Sequence, residues 1–300
     1  MAAGSLGSYR LLAVKVALIA ALVPALGFTI AGADLWVSAL TQLFLVAAAF
    51  VLRGRGLARV ATAIEAMVLI LAASMVTACL SVLLATLGLP YRDATLAAVD
   101  AAIFPFFTWR EMFALLHHRD ALVHVMSAVY QTLLWQPFLL VALLAASGRE
   151  HACWRFVHAW YLTLAACLIV FPFVTAVSPY AFYGIAHGDI PALGVDTGWW
   201  PARLLNDIRS GALRELSPQN MTGLISVPSF HAGGATLLFW GFRHVRLVGP
   251  AFMALNIAMA ATAPLIGAHY FIDIVAGVAV AVAAILVTRG DQRQSSPVLR

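Results

Sequence analysis

The sequence predicts an all-α fold, a polytopic membrane helical bundle of about eight spans, and three observations predict it. Of the 300 residues, 63% are hydrophobic and only 10% are charged. Several apolar runs reach the roughly 20 residues that a bilayer crossing requires. Arginine and lysine also gather in alternate connections, as expected of a chain whose cytoplasmic loops are positive.

Taken in order, the apolar runs place spans at about residues 11–32, 35–52, 60–88, 122–147, 155–177, 229–242, 248–267 and 269–288. The sixth is the shortest. With the N-terminus cytoplasmic, Arg10, Lys15, Arg53, Arg55, Arg59, Arg149, Arg155, Arg243, Arg246, Arg289, Arg293 and Arg300 fall inside. Arg92, Arg110, Arg119, Arg203, Arg209 and Arg214 fall outside, together with most of the carboxylates. The net charge of +5 then reads as inner-leaflet anchoring, with no nucleic-acid partner expected. A multi-pass protein of a bacterial-type inner membrane is expected. Ala31-Gly32-Ala33 after the first run has the form of a signal-peptidase site, but the multispanning context favours an uncleaved anchor; cleavage would leave the remaining orientation unchanged. Cys79, Cys153 and Cys167 lie in or beside apolar runs without metal-ligand spacing and read as small apolar residues.

Two outer segments are too polar to span and too long for turns. Residues 89–121 interleave Arg92, Asp93, Asp100, Arg110, Glu111 and Arg119 with Phe104, Phe106, Phe107 and Trp109, a pattern that suits an interfacial segment. Residues 178–227 are broken by prolines and carry the Trp199-Trp200 pair. Within them, residues 202–216 have helical amphipathicity: Leu204, Leu205, Ile208, Ala212 and Leu216 fall on one side and Arg203, Asp207, Ser210 and Arg214 on the other. That polar face is either a solvated interfacial surface with snorkelling arginines or a phosphate clamp formed by Arg203 and Arg214.

Polar groups inside the spans are few. Glu65 is expected to be structural, either protonated, paired with Arg59 or locally hydrated. Gly233 and Gly234, with Ala232 and Ala235, suit close helix packing. The chemistry concentrates in Ser226-Val227-Pro228-Ser229-Phe230-His231 and His269-Tyr270-Phe271-Ile272-Asp273. His231 and His269 are separated by about two crossings of a roughly 30 Å core, which returns both to one membrane face. His269 and Asp273 stand one turn apart, where a carboxylate orients an imidazole. Each group alone also reads as an interfacial hydrogen-bonding residue or a packing pair, and two ligands are too few for a metal site. Together they read as His231, His269 and Asp273 of an active site.

These two signatures resemble the type-2 phosphatidic acid phosphatase superfamily. Its Pro-Ser-Gly-His element corresponds to Pro228-Ser229-Phe230-His231, with Phe for Gly, and its terminal His-x-x-x-Asp to His269–Asp273. The preceding Ser-Arg positions are Thr262 and Ala263, so the phosphate-gripping arginine is missing. No Lys-x6-Arg-Pro element is present, since Lys15 is the sole lysine. These departures, and the run Gly267–Gly277, are similar to the branch of inositol phosphorylceramide synthases and sphingomyelin synthases.

The resemblance covers roughly residues 155–290. Hydropathy alone, outside that resemblance, places N-terminal spans over 1–150, with an interfacial segment near 89–121. The catalytic phosphatase-like membrane core is expected over 151–290 and a cytoplasmic tail over 291–300, and the eight spans as a whole are expected to comprise a six-helix phosphatase-like core plus N-terminal spans. The resemblance also implies a phosphohistidine route in which His269 attacks phosphorus, Asp273 steadies the imidazole and His231 moves the proton, at an extracytoplasmic site without metal or cofactor. Arg203, Arg214, Ser229 and Tyr270 are the candidate substrate-binding residues. The implied partners are a membrane phospholipid and either a lipid alcohol or water as acceptor. A missing arginine suits a phosphodiester of about −1 charge over a monoester of −1.5 to −2, which favours headgroup transfer. Phosphatase action by the same triad and nonenzymatic carriage of an anionic lipid are the alternatives.

Overall fold

The computed structural model describes residues 5–116, 118–193, 198–221 and 223–294, without side chains for 290–294. Most of the expected tail lies outside the described residues, and α13 (Phe271–Gln294) continues into its start. The first helices are α1 (Leu6–Ala25), α2 (Ala33–Gly54) and α3 (Ala58–Ala85). The segment after α3 forms α4 (Asp93–Ile103) and α5 (Trp109–Leu116). After α6 (Asp120–Gln131), α7 (Gln136–Ala146) and α8 (Glu150–Val170) come the short α9 (Pro179–Tyr183) and α10 (Trp200–Ser210). The chain then forms α11 (Phe230–Phe242), α12 (Gly249–Ile266) and α13.

Among the described residues, six helices are long and apolar enough to cross a membrane: α1, α2, α3, α8 with its extension to Phe173, α12 and the Phe271–Arg289 part of α13. The α6–α7 pair, bent by 49°, makes a seventh if it is one crossing. The protein is therefore an integral multi-pass membrane protein. Residues 229–242, expected to be a full span, form only the 13-residue α11. At 1.5 Å per residue it is about 20 Å long, short of a roughly 30 Å core. Most of its residues are buried against neighbouring helices, so it need not match the lipid thickness.

Helices in lipid gain little from apolar burial alone and associate by close packing, which small residues permit. A Cβ at Gly233 would meet Thr163 Cγ2 of α8 at 3.1 Å and the Gly277 carbonyl of α13 at 3.2 Å. One at Gly277 would run into the carbonyl oxygen of Ser229. Thus α11 sits backbone to backbone against α13 with α8 behind it, around a core that includes Phe156, Trp160, Leu237 and Phe242.

Two buried charged groups of the N-terminal helices, Lys15 and Glu65, are partnered. Lys15 donates to Thr77 Oγ1 at 2.8 Å. Glu65, 1% exposed, accepts from Tyr9 Oη and pairs with Arg53 at 2.7 Å. Its partner is therefore Arg53 and not Arg59, whose Nη1 turns to the Ala146 carbonyl across the α7 end.

Thr29–Ile30 pairs in parallel with Glu215–Leu216. The amphipathic helix is shorter than the periodicity of 202–216 implied, because Gly211 adopts a left-handed φ of 83° and caps α10 at Ser210. Leu204, Leu205 and Ile208 still bury together with Phe28, Leu80 and Phe171, and Leu216 joins them from the strand. Ala212 is exposed.

Candidate active site

The last turn of α12 has its carbonyls occupied. Ala263 O accepts from Gly267 N, Leu265 O accepts from Tyr180 Oη at 2.9 Å, and Pro264 O accepts from both His269 N and Trp109 Nε1. Those bonds fix the turn that follows. Ala268 has φ 54°, a left-handed conformation that costs a non-glycine residue about 1–2 kcal/mol and persists where its surroundings enforce it. The turn reverses the chain and delivers His269 at the start of α13.

There His269 is 5% exposed and Asp273 is fully buried. His269 Nδ1 lies 3.4 Å from Asp273 Oδ2, an electrostatic contact longer than an ordinary hydrogen bond. His269 Nδ1 and Asp273 Oδ1 are both buried without a hydrogen-bond partner. Asp273 Oδ2 also accepts from Tyr270 N at 2.9 Å, so the carboxylate is anchored to the helix start while facing the imidazole.

His231 arrives from the neighbouring helix. Ser229 is the N-cap of α11: its Oγ accepts from Ala232 N, and its own N–H donates to the Asp273 carbonyl at 3.0 Å. His231, two positions on and half-buried, stacks on Tyr130 of α6 with ring centroids 3.8 Å apart. A Cβ at Gly267 would lie 2.5 Å from Tyr130 Oη and 2.8 Å from His269 Cδ2. Tyr130 therefore links the two histidines across the glycine, and both imidazoles belong to one cluster at the same end of the bundle.

Sequence reasoning missed the groups that hold this cluster from outside. Asp100 of α4 accepts from Phe271 N at 2.7 Å and Ile272 N at 2.8 Å, using both carboxylate oxygens as the cap of α13. Asp93, seven residues earlier on the same helix, accepts from Val177 N, Ser178 N and Tyr270 Oη. Burial pushes both carboxyls above the usual aspartate range, against the opposing pull of these donors. The available signal was their i, i+7 spacing within an otherwise apolar helix, which places both on one face. Tyr130 carried no comparable signal.

The candidate substrate-binding residues are dispersed. Tyr270 is fully buried and donates its hydroxyl to Asp93. Ser229, also fully buried, serves as the N-cap. Arg214 Nη1 donates to the carbonyls of Ile208 and Leu213, and its guanidinium lies over Phe28, in the cluster that α10 forms with α3. Arg203 is exposed on α10. No described contact joins either arginine to His231, His269 or Asp273. At the position where the resembled family has arginine, Ala263 is fully buried in α12. Among the described residues no group of three or more histidine, cysteine or acidic side chains is placed to hold a metal.

A helical membrane bundle that brings two histidines and a buried aspartate to one end defines the class of protein. A family model described as the PAP2 superfamily matches residues 94–287, and the chain belongs to that superfamily. The match begins at α4, so the helix carrying Asp93 and Asp100 stands at the edge of the family unit. Comparisons with curated proteins and with solved structures returned no similar chain. Membership suggests phosphatase or phosphotransferase activity on lipid phosphates.

Proposed function

We propose that this protein transfers a phospho-headgroup from a membrane phospholipid to a lipid alcohol through a phosphohistidine, at the extracytoplasmic face. The observation that carries the reading is the cluster of His231, His269 and Asp273, in which His269 turns Nδ1 toward a buried carboxylate and leaves Nε2 for attack. His269 Nε2 forms a bond to phosphorus as the P–O bond to the donor breaks, and His231 gives its proton to the departing oxygen. His231 then takes the proton of the acceptor hydroxyl as that oxygen attacks phosphorus and the N–P bond breaks. Asp273 stabilises the imidazolium character of His269 during both steps.

Two observations favour a diester donor. Ala263 supplies no cation, and Nη1 of Arg214 is turned to backbone carbonyls. A site with few fixed cations suits the single charge of a phosphodiester better than the nearly double charge of a monoester. Hydrolysis of lipid phosphates, with water as acceptor, is the second reading and is favoured by the superfamily itself.

The test is a mass-spectrometric lipid assay of wild-type and His269→Ala protein in mixed micelles of phospholipids, diacylglycerol and ceramide. A new headgroup-bearing lipid that disappears in the variant supports transfer. Release of phosphate or phospho-headgroup alone supports hydrolysis. Equal behaviour of the two proteins rejects both.

A further inference from the structure

At the end of the bundle remote from the histidines, Arg155 near the start of α8 and Arg243 just after α11 both place their guanidinium carbons 5.2 Å from the ring centroid of Trp240. The donors here outnumber the acceptors. Arg155 Nε, Arg155 Nη2 and Trp240 Nε1 are buried without hydrogen-bond partners. Arg243 Nε donates to His244 Nε2 at 3.2 Å, and Arg149 Nη1 donates to the His244 carbonyl. The charges of Arg243 and Arg289 act on Arg155. Among the described residues no carboxylate pairs with them: the ion pairs there are Arg53–Glu65 and His269–Asp273, both elsewhere. Burial first, and then the charges of Arg243, Arg149 and Arg155, hold His244 below the usual histidine range, as a positive local field requires.

We propose that Arg155, Arg243 and Trp240 form a second anion site, for a phosphate group, at the opposite end of the bundle from the histidines. Buried N–H donors without acceptors and like charges without a counterion are each costly. A phosphate removes both penalties at once, because several acceptor oxygens on one compact anion accept from converging guanidinium and indole donors. The charge distribution expected from the sequence puts this end in the cytoplasmic leaflet, where anionic headgroups supply phosphate, and free inorganic phosphate has the same chemistry. Arg246 is exposed on the same side without a described contact to the cluster and measures generic attraction to the surface.

The experiment titrates phosphatidylglycerol, phosphatidylcholine or inorganic phosphate into protein carrying His269→Ala, which keeps lipid from being consumed, with native mass spectrometry and thermal shift as readouts. Phosphatidylglycerol is expected to bind and stabilise, and Arg155→Gln to weaken it by about tenfold or more, the loss of one charge-assisted contact. Trp240→Phe and Arg243→Gln weaken it in the same direction and serve if Arg155→Gln fails to fold, while Arg246→Gln stays within about twofold. If inorganic phosphate alone saturates the same arginine-dependent site, the site holds and its occupant is the free anion. If phosphatidylcholine binds as well as phosphatidylglycerol, or if no cluster variant differs from Arg246→Gln, the proposal is overturned.

Discussion

Gly267→Ala tests the geometry of the cluster with a single methyl group. The added Cβ would lie 2.5 Å from Tyr130 Oη, 2.7 Å from the Ala263 carbonyl and 2.8 Å from His269 Cδ2. Non-bonded contacts of carbon are comfortable near about 3.5 Å, so these neighbours must yield by roughly 0.7–1 Å. The Ala263 carbonyl is fixed in α12 and accepts from Gly267 itself, which leaves Tyr130 and the His269 ring to move. Tyr130 cannot move without disturbing the stack on His231. A misplacement of about 1 Å at a reacting group costs on the order of 100-fold in rate, and overpacking of this kind costs about 1–3 kcal/mol of stability. The assay is steady-state turnover of a lipid phosphate in mixed micelles, with thermal unfolding followed in parallel. The expected result is a fall in kcat of about two orders of magnitude with KM little changed. Turnover within about twofold of wild type, in a protein that unfolds at the wild-type temperature, would refute the reasoning that these three rings share one tightly packed cluster.

Three further outcomes are expected. Asp100→Ala leaves the amides of Phe271 and Ile272 without their acceptor, which costs about 2–4 kcal/mol and lowers kcat; Asp100→Asn, which keeps one acceptor oxygen, recovers part of both, and equal loss in the two variants would count against a capping role. Burial raises the folded-state pKa of Asp93 and Asp100 above the ordinary value near 3.8, so the folded protein retains protons that the unfolded chain has released, and stability falls as pH rises from that value through the raised ones. Unfolding midpoints measured across that window show a shallower slope in Asp100→Asn, and an unchanged slope would remove Asp100 from the account. Activity is expected to survive chelation, because among the described residues no cluster of metal-ligating side chains is present; loss restored by a divalent cation would contradict this.

The spans were legible because a bilayer imposes length and apolarity on a local stretch of sequence, as α3 and α8 show. The exception, α11, is sheltered by protein on most sides, so the rule for lipid-facing helices does not set its length. The contact between His269 and Asp273 was legible for a similar reason, since a one-turn relation is local. The supports were not. Asp100 and Asp93 meet the α13 start across a sequence separation of 171 to 177 residues, and their i, i+7 spacing shows a shared face without showing what that face meets. Tyr270 and Ser229 carry the chemistry expected of phosphate contacts, yet one hydroxyl is given to Asp93 and the other caps α11, uses that depend on which chain segments come together. The shortness of α10 followed from the positive φ of Gly211, which overrode an apolar period continuing to Leu216.

The central claim, that His269 is the phosphoryl acceptor, is tested most directly by trapping the intermediate. Protein incubated with a lipid radiolabelled on phosphorus is quenched with base, in which phosphohistidine survives, and digested for mass spectrometry. The account predicts label on the peptide containing His269, accumulation of that label in His231→Ala if acceptor attack slows more than donor departure, and none in His269→Ala. Label that persists in His269→Ala, or substrate turnover by that variant at the wild-type rate, would contradict it.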